Sequence, residues 1–137
     1  MLKSIFTRRS FIRSGIWTVA ANFVLLLVRV ATGQAFRQTF LDDFYIAGTT
    51  HIKKIDAIEP VLKKGQRLDL FRENNPHDAK AIVIKDSNGT KLGYVPRDKN
   101  EVLSRLMDGE KALFAVIQSK EWKGTWLKIK VKVYLSD

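Results

Sequence analysis

Leu70-Phe71-Arg72-Glu73-Asn74-Asn75-Pro76-His77-Asp78-Ala79-Lys80-Ala81-Ile82-Val83-Ile84 sets a polar, turn-forming segment between two apolar runs. The flanks, Gln66 to Arg72 and Ala79 to Lys85, read as β-strands because β-branched and aromatic residues suit a pleated, half-buried surface. Between them Pro76 presets its own φ, while Asn and Asp side chains hydrogen-bond nearby backbone, so the connection is a built loop. Downstream, Asp86-Ser87-Asn88-Gly89-Thr90 signals a hairpin, since Asn-Gly tolerates the positive φ that tight turns require. Lys91 to Val95 returns as the partner strand and Pro96 stops it.

Working outward, Phe44 to Thr49 reads as a strand with a bulge or close backbone approach at Gly48. Ile55, Ile58 and Leu62 recur at helical spacing within Ile52 to Leu62; Pro60 makes this helix short or broken, and Gly65 stops it. Val102, Leu103, Leu106 and Met107 predict a second helix with one apolar face, closed by Gly109. Two last strands, Ala112 to Ser119 and Thr125 to Leu135, are joined across Trp122-Lys123-Gly124. Leu127, Ile129, Val131 and Val133 point to one face; Trp126, Lys128, Lys130, Lys132 and Tyr134 point to the other. The first set is core, and the lysines are read as the solvated face of an edge strand, where they discourage sheet-to-sheet association. The expected fold is mainly β: a small six-stranded OB/SH3-like barrel with two short helices, plus an N-terminal apolar helix.

A chain of 137 residues, 45% apolar and 28% charged, has the composition of a folded domain. Five of its 24 Lys and Arg lie in the first 35 residues, which hold no acid, leaving 19 basic against 14 acidic residues beyond them. That bias suits a polyanionic partner without requiring one. With no cysteine there is no disulfide and no thiolate, and the two histidines, His51 and His77, have no carboxylate at ligand spacing, which argues against a metal site. His77 and Asp78 could form a dyad, yet no serine sits in a nucleophile elbow and no phosphate loop of Walker spacing exists, so catalysis and a cofactor are not expected.

The first 35 residues stand apart. Thr7-Arg8-Arg9-Ser10-Phe11-Ile12-Arg13 has the paired arginine, apolar pair and basic residue of a twin-arginine export signal, with Arg8 and Arg9 as its core. Gly15 to Val28 is mostly apolar and shorter than the roughly 20 residues that span a bilayer; Gly33-Gln34-Ala35 offers small residues for cleavage. Arg29 keeps an alternative open, an uncleaved anchor over Ile16 to Ala35 with that arginine near an interface. The expected organisation is a signal peptide or membrane anchor over 1–35, a linker over 36–43 and a domain over 44–135. The expected location is accordingly exported, periplasmic or extracellular, or inner-membrane anchored, with a membrane or translocase as the partner of residues 1–35.

Leu70 to Ile84, together with Leu92-Gly93-Tyr94-Val95-Pro96-Arg97, closely resembles the HIRAN domain, found alone in bacteria and at the front of DNA-repair helicases. The likeness runs from about Phe44 to Tyr134. It implies a compact barrel related in shape to OB-folds and a pocket that captures the 3′-hydroxyl end of single-stranded DNA. Carried onto this chain, Asp78 accepts the hydrogen bond of the terminal hydroxyl, while Asn74 and Asn75 shape the loop or touch the last nucleotide. His77, where relatives often have Tyr, presents its ring to a base; His51 falls where the family commonly has an aromatic. Tyr94 and Arg97 meet a base or a phosphate. Thr50 falls where DNA-binding helicase relatives have Arg. The implied partner is single-stranded DNA or another anionic ligand, with any catalysis supplied by a separate protein. The alternative is an exported cell-envelope interaction module that kept the barrel and lost DNA binding.

Overall fold

A computed structural model describes residues 37–136. The expected N-terminal helix, leader or anchor, with Arg8 and Arg9, lies outside the described residues. Six strands form one antiparallel sheet: β1 (Gln38–Tyr45), β2 (Arg67–Arg72), β3 (Ile82–Lys85), β4 (Lys91–Tyr94), β5 (Ala112–Lys123) and β6 (Trp126–Ser136), in the order β1-β6-β5-β2-β3-β4. The sheet curls into a half-barrel instead of pairing all round. Its two ends meet at a single bridge, in which Ala47 and Tyr94 exchange backbone hydrogen bonds of 2.8 Å and 2.8 Å.

The β5–β6 hairpin is the spine. Leu127, Ile129, Val131 and Val133 are all at most 1% exposed, as their alternation requires, and each contributes about 1.5–3 kcal/mol by leaving water. They pack with Leu68, Ile82, Ile84, Leu92 and Ile117 in one core. Because β6 lies between β1 and β5, it is not the edge strand expected from its lysines. β5 also runs past Ser119 to Lys123, and the turn is the two residues Gly124-Thr125, with Gly124 at φ 62°. A two-residue turn with glycine at positive φ in its first position matches the strands' own twist, so nothing forces the chain apart earlier.

Residues 38–43, read as linker, are most of β1, which pairs with β6 and ends at Tyr45, four residues short of the expected Thr49. A bulge between Phe40 and Asp42 shifts the phase of β1, which hides the strand from a search for strict alternation. The Asp86–Thr90 hairpin forms as expected, with Asp86 Oδ1 accepting the Asn88 and Thr90 N–H groups at 2.9 and 2.8 Å.

The first helical stretch is broken, as Pro60 implies. A 3-10 turn at Thr49–His51 precedes α1 (Ile55–Ile58), which passes into a second 3-10 turn at Glu59–Val61. α2 spans Asn100–Asp108, and its buried residues are Asn100, Leu103 and Ser104. Val102, assigned to the apolar face, is 65% exposed. The i, i+3, i+4 spacing holds, but the buried stripe is rotated by one residue and contains two polar side chains.

Candidate nucleic-acid interface

Asp78 is held at both oxygens. Its Oδ1 accepts the Lys80 backbone N–H at 2.9 Å and its Oδ2 accepts Asn100 Nδ2 at 2.9 Å, while its carbonyl takes the Ala81 N–H at 3.2 Å. The chain therefore keeps turning through Ala81, and β3 starts at Ile82 rather than at Ala79. Asn75 does the same one step earlier, its Oδ1 accepting the His77 N–H at 2.9 Å. These are the Asx turns that the residue types offer locally. Asn100, 2% exposed, is the long-range partner that ties the loop to α2.

Arg72 closes the loop from the other side. Its Nη1 and Nη2 donate to the Ala81 and Ala79 carbonyls at 2.8 and 2.9 Å, and its Nε reaches Asp108 Oδ1 at 2.8 Å. A lysine could not span three acceptors, because only the guanidinium presents a rigid fork of donors. The Arg72 contact holds the Asp108 carboxyl below the usual carboxylate range. Lys80, hydrogen-bonded to Glu101, and then Arg105 lower the Glu101 carboxyl likewise.

The opposite wall is the seam of the sheet. Thr49, buried, donates its hydroxyl to the Leu127 carbonyl at 2.8 Å and so fixes the 3-10 turn against β6. Gly93 has φ 152°, and a Cβ there would collide with the Ala47 carbonyl oxygen and lie 2.6 Å from Ile46 Cγ2. Only glycine lets the Ile46–Ala47 backbone approach β4 this closely. Tyr94 follows, its hydroxyl 2.6 Å from Lys91 Nζ.

Between these walls lies a cleft of about 680 Å³ lined by Ala47, Gly48, His51, Asn75, His77, Asp78, Ala81, Tyr94, Val95 and Arg97. The Arg97 side chain is 75% exposed at the rim; its Nε is 4.0 Å from Asp78 Oδ2 and its Nη2 donates to the His77 carbonyl at 3.4 Å. The structure thus brings together His51, Asn75, His77, Asp78, Tyr94 and Arg97, from three separate stretches of chain. Thr50 and Asn74 are exposed and do not line the cleft. Thr50 follows the anchored Thr49 in a 3-10 turn that carries it outward, and Asn74 precedes the turn that Asn75 begins. Sequence reasoning missed Asn100 and Arg72, whose roles need partners 22 and 36 residues away. It also left Gly93 unexplained, although a glycine inside a strand pattern is the usual sign of close backbone approach.

A separate groove of about 370 Å³ is lined by Leu41, Val102 and Leu106 together with Asp42, Asp98 and Glu101. Lys99 also lines it, 3.5 Å from Asp42, but acids outnumber bases three to one and disfavour an anionic ligand, so the larger cleft is the better candidate. Among the described residues no group of three His, Cys, Asp or Glu side chains could hold a metal ion, and no helix is long and apolar enough to cross a membrane.

The architecture is thus a small curled β-sheet with a cleft at its seam, into which three separate stretches of chain bring polar and aromatic side chains. The profile of the HIRAN domain matches residues 41–136, and the chain belongs to that family, whose domains are non-catalytic modules known to bind DNA ends. Among solved structures it is similar to a Lactobacillus plantarum protein, at 23% identity over 75% of this chain and 99% of that one, with a TM-score of 0.69. It is also similar to the crystal structure of the HIRAN domain of human HLTF, at 17% identity over 72% of this chain and 78% of that one, with a TM-score of 0.55. Among curated protein sequences nothing matches.

Proposed function

We propose that this chain captures the 3′-hydroxyl end of single-stranded DNA in the Ala47–Arg97 cleft, without chemistry of its own. The observation that carries the reading is the convergence of the Asn75–Asp78 loop, the Gly48–His51 turn and the Tyr94–Arg97 segment on one cleft in a HIRAN domain. A carboxylate offers about four lone-pair positions, and Asp78 uses two, so it can still accept from a terminal hydroxyl. Tyr94, His51 and His77 offer flat faces to the last bases, where stacking is worth about 1–3 kcal/mol each. Arg97, exposed at the rim, meets a phosphate. Thr50 and Asn74, which do not line the cleft, are assigned no ligand contact.

The test is fluorescence anisotropy of the full-length protein with short single strands ending in 3′-hydroxyl or 3′-phosphate, at two salt concentrations. Tighter binding of the hydroxyl end is expected; equal binding of both ends refutes capture of the terminus. A second reading, an envelope interaction module reached through the export or anchor signal of residues 1–35, draws on the exposed Thr50 standing away from the cleft. It is favoured if no oligonucleotide binds.

A further inference from the structure

The lysines of β6 lose their first explanation once the strand is seen inside the sheet. Lys128, Lys130 and Lys132 guard no edge, since β1 covers one side of β6 and β5 the other. They stand instead among aromatic rings on the outer face. Lys128 Nζ lies 4.6 Å from the Tyr45 ring centre and 5.4 Å from that of Trp126; Lys130 Nζ is 5.8 Å from Tyr45, and Lys132 Nζ 5.9 Å from Phe40. Phe40 meets Tyr134 edge-on at 6.0 Å, and Tyr134 stacks on Phe114 at 5.5 Å. Phe40 is 52% exposed and Tyr45 38%, so two rings face water beside half-buried cations.

We infer that this outer face is a second contact track for the same single-stranded nucleic acid, carrying the strand away from the end held in the cleft. Alternate residues on a strand are about 7 Å apart, so the three lysines form a row at the spacing of successive phosphates in an extended strand. Rings between the cations give bases a stacking platform, the combination by which single strands are held without sequence preference. The track is continuous with the cleft. Tyr45 lies two residues before Ala47, alternation places both on one side of the sheet, and Ala47 is bridged to Tyr94. From Ala47 back to Phe40 the face extends about 23 Å, enough for a strand on the order of four nucleotides.

Two acids temper the charge without cancelling it. Glu121 pairs with Lys128 at 3.4 Å, and Asp43 sits opposite Lys132 in the β1–β6 register, whereas Lys130 and Lys132 make no ion pair among the described residues. The track rests on the cleft reading for its polarity, with the 3′ end in the cleft and the 5′ side over β6. Its own signature is length and salt dependence.

The test compares 4-mer and 12-mer oligothymidylates, each with 3′-hydroxyl or 3′-phosphate, against the full-length protein and the variants Lys130→Glu/Lys132→Glu and Tyr45→Ser. The native chain is expected to bind the 12-mer at least tenfold more tightly than the 4-mer. The double variant loses that gain and about 1.4 units of the salt slope, the share of two phosphate contacts on a single strand. Tyr45→Ser weakens the 12-mer roughly tenfold. Because these side chains reach water, circular dichroism melting is expected to match the native protein; Lys130→Gln/Lys132→Gln serves if charge reversal perturbs it. A length gain that survives in both double variants, or no length gain at all, overturns the track. Binding to phosphatidylserine vesicles that falls in the double variants, with no oligonucleotide length gain, overturns it in favour of a membrane surface. Loss of hydroxyl preference with the length gain intact strikes the cleft reading and supports the track.

Discussion

Gly93→Ala should open the seam on which the cleft is built. The added Cβ collides with the Ala47 carbonyl oxygen, which is backbone and cannot swing aside, and crowds Ile46, a core residue 1% exposed. Relief requires the Ile46–Ala47 segment to withdraw, which breaks the two 2.8 Å hydrogen bonds between Ala47 and Tyr94. Two backbone bonds at about 0.5–1.5 kcal/mol each, with about 1 kcal/mol for a side chain at positive φ, come to about 3 kcal/mol. In a domain of this size that lowers the melting temperature by about 12–24 °C. Gly89→Ala is the control, because Gly89 has φ 82° yet a Cβ there meets nothing within 4 Å. It carries the conformational cost alone, so the two variants should differ by about 2 kcal/mol in thermal unfolding followed by circular dichroism. Equal melting temperatures would refute the reasoning, since the collision would then have been absorbed without opening the bridge.

Asn100→Ala removes the buried donor to Asp78 and should cost about 1–3 kcal/mol in denaturant unfolding, with weaker binding of 3′-hydroxyl strands although every proposed contact residue remains. Asp78→Ala should lower both stability and binding, because the carboxylate shapes the loop as well as facing the ligand; a variant that binds less with an unchanged melting temperature would show that the loop holds without it. Arg97→Ala, at a side chain 75% exposed, should leave stability within about 0.5 kcal/mol and reduce the salt slope of binding by about 0.7, measured by anisotropy titrations. Glu101 and Asp108 have folded pKa values below their ordinary 4.5 and 3.8, so the stability they contribute is present above those values and lost as pH falls through the lowered ones. Acid unfolding should therefore begin at higher pH in Arg72→Lys than in the native chain, and coincident acid transitions would argue against the Arg72 contact.

Strand identity was legible because it is local. Alternation along Leu127, Ile129, Val131 and Val133 states which side meets the core whatever the neighbours are, and Asn88-Gly89 states its own turn. The loop motif and the Tyr94–Arg97 segment likewise marked most of the cleft, since resemblance is carried by residue order. Where periodicity was interrupted, the reading slipped: the Phe40/Asp42 bulge concealed β1, and polar Asn100 and Ser104 on the buried side of α2 displaced its stripe onto Val102.

Other properties had no local trace. Whether lysines at alternate positions guard an edge or arm an inner strand depends on what lies beside β6, which the chain states only by folding β1 back from 90 residues away. That Asp78 is a fastener as well as a contact depends on Asn100, and the need for glycine at 93 depends on a carbonyl 46 residues earlier. Residue types and their spacing determined most of the strands and the turns, because those follow from each residue's own conformational and solvation preferences. Tertiary structure alone decided sheet order, the single-bridge seam and the exposure of the aromatic and basic face, because each is a relation between distant segments that exists only once the core has brought them together.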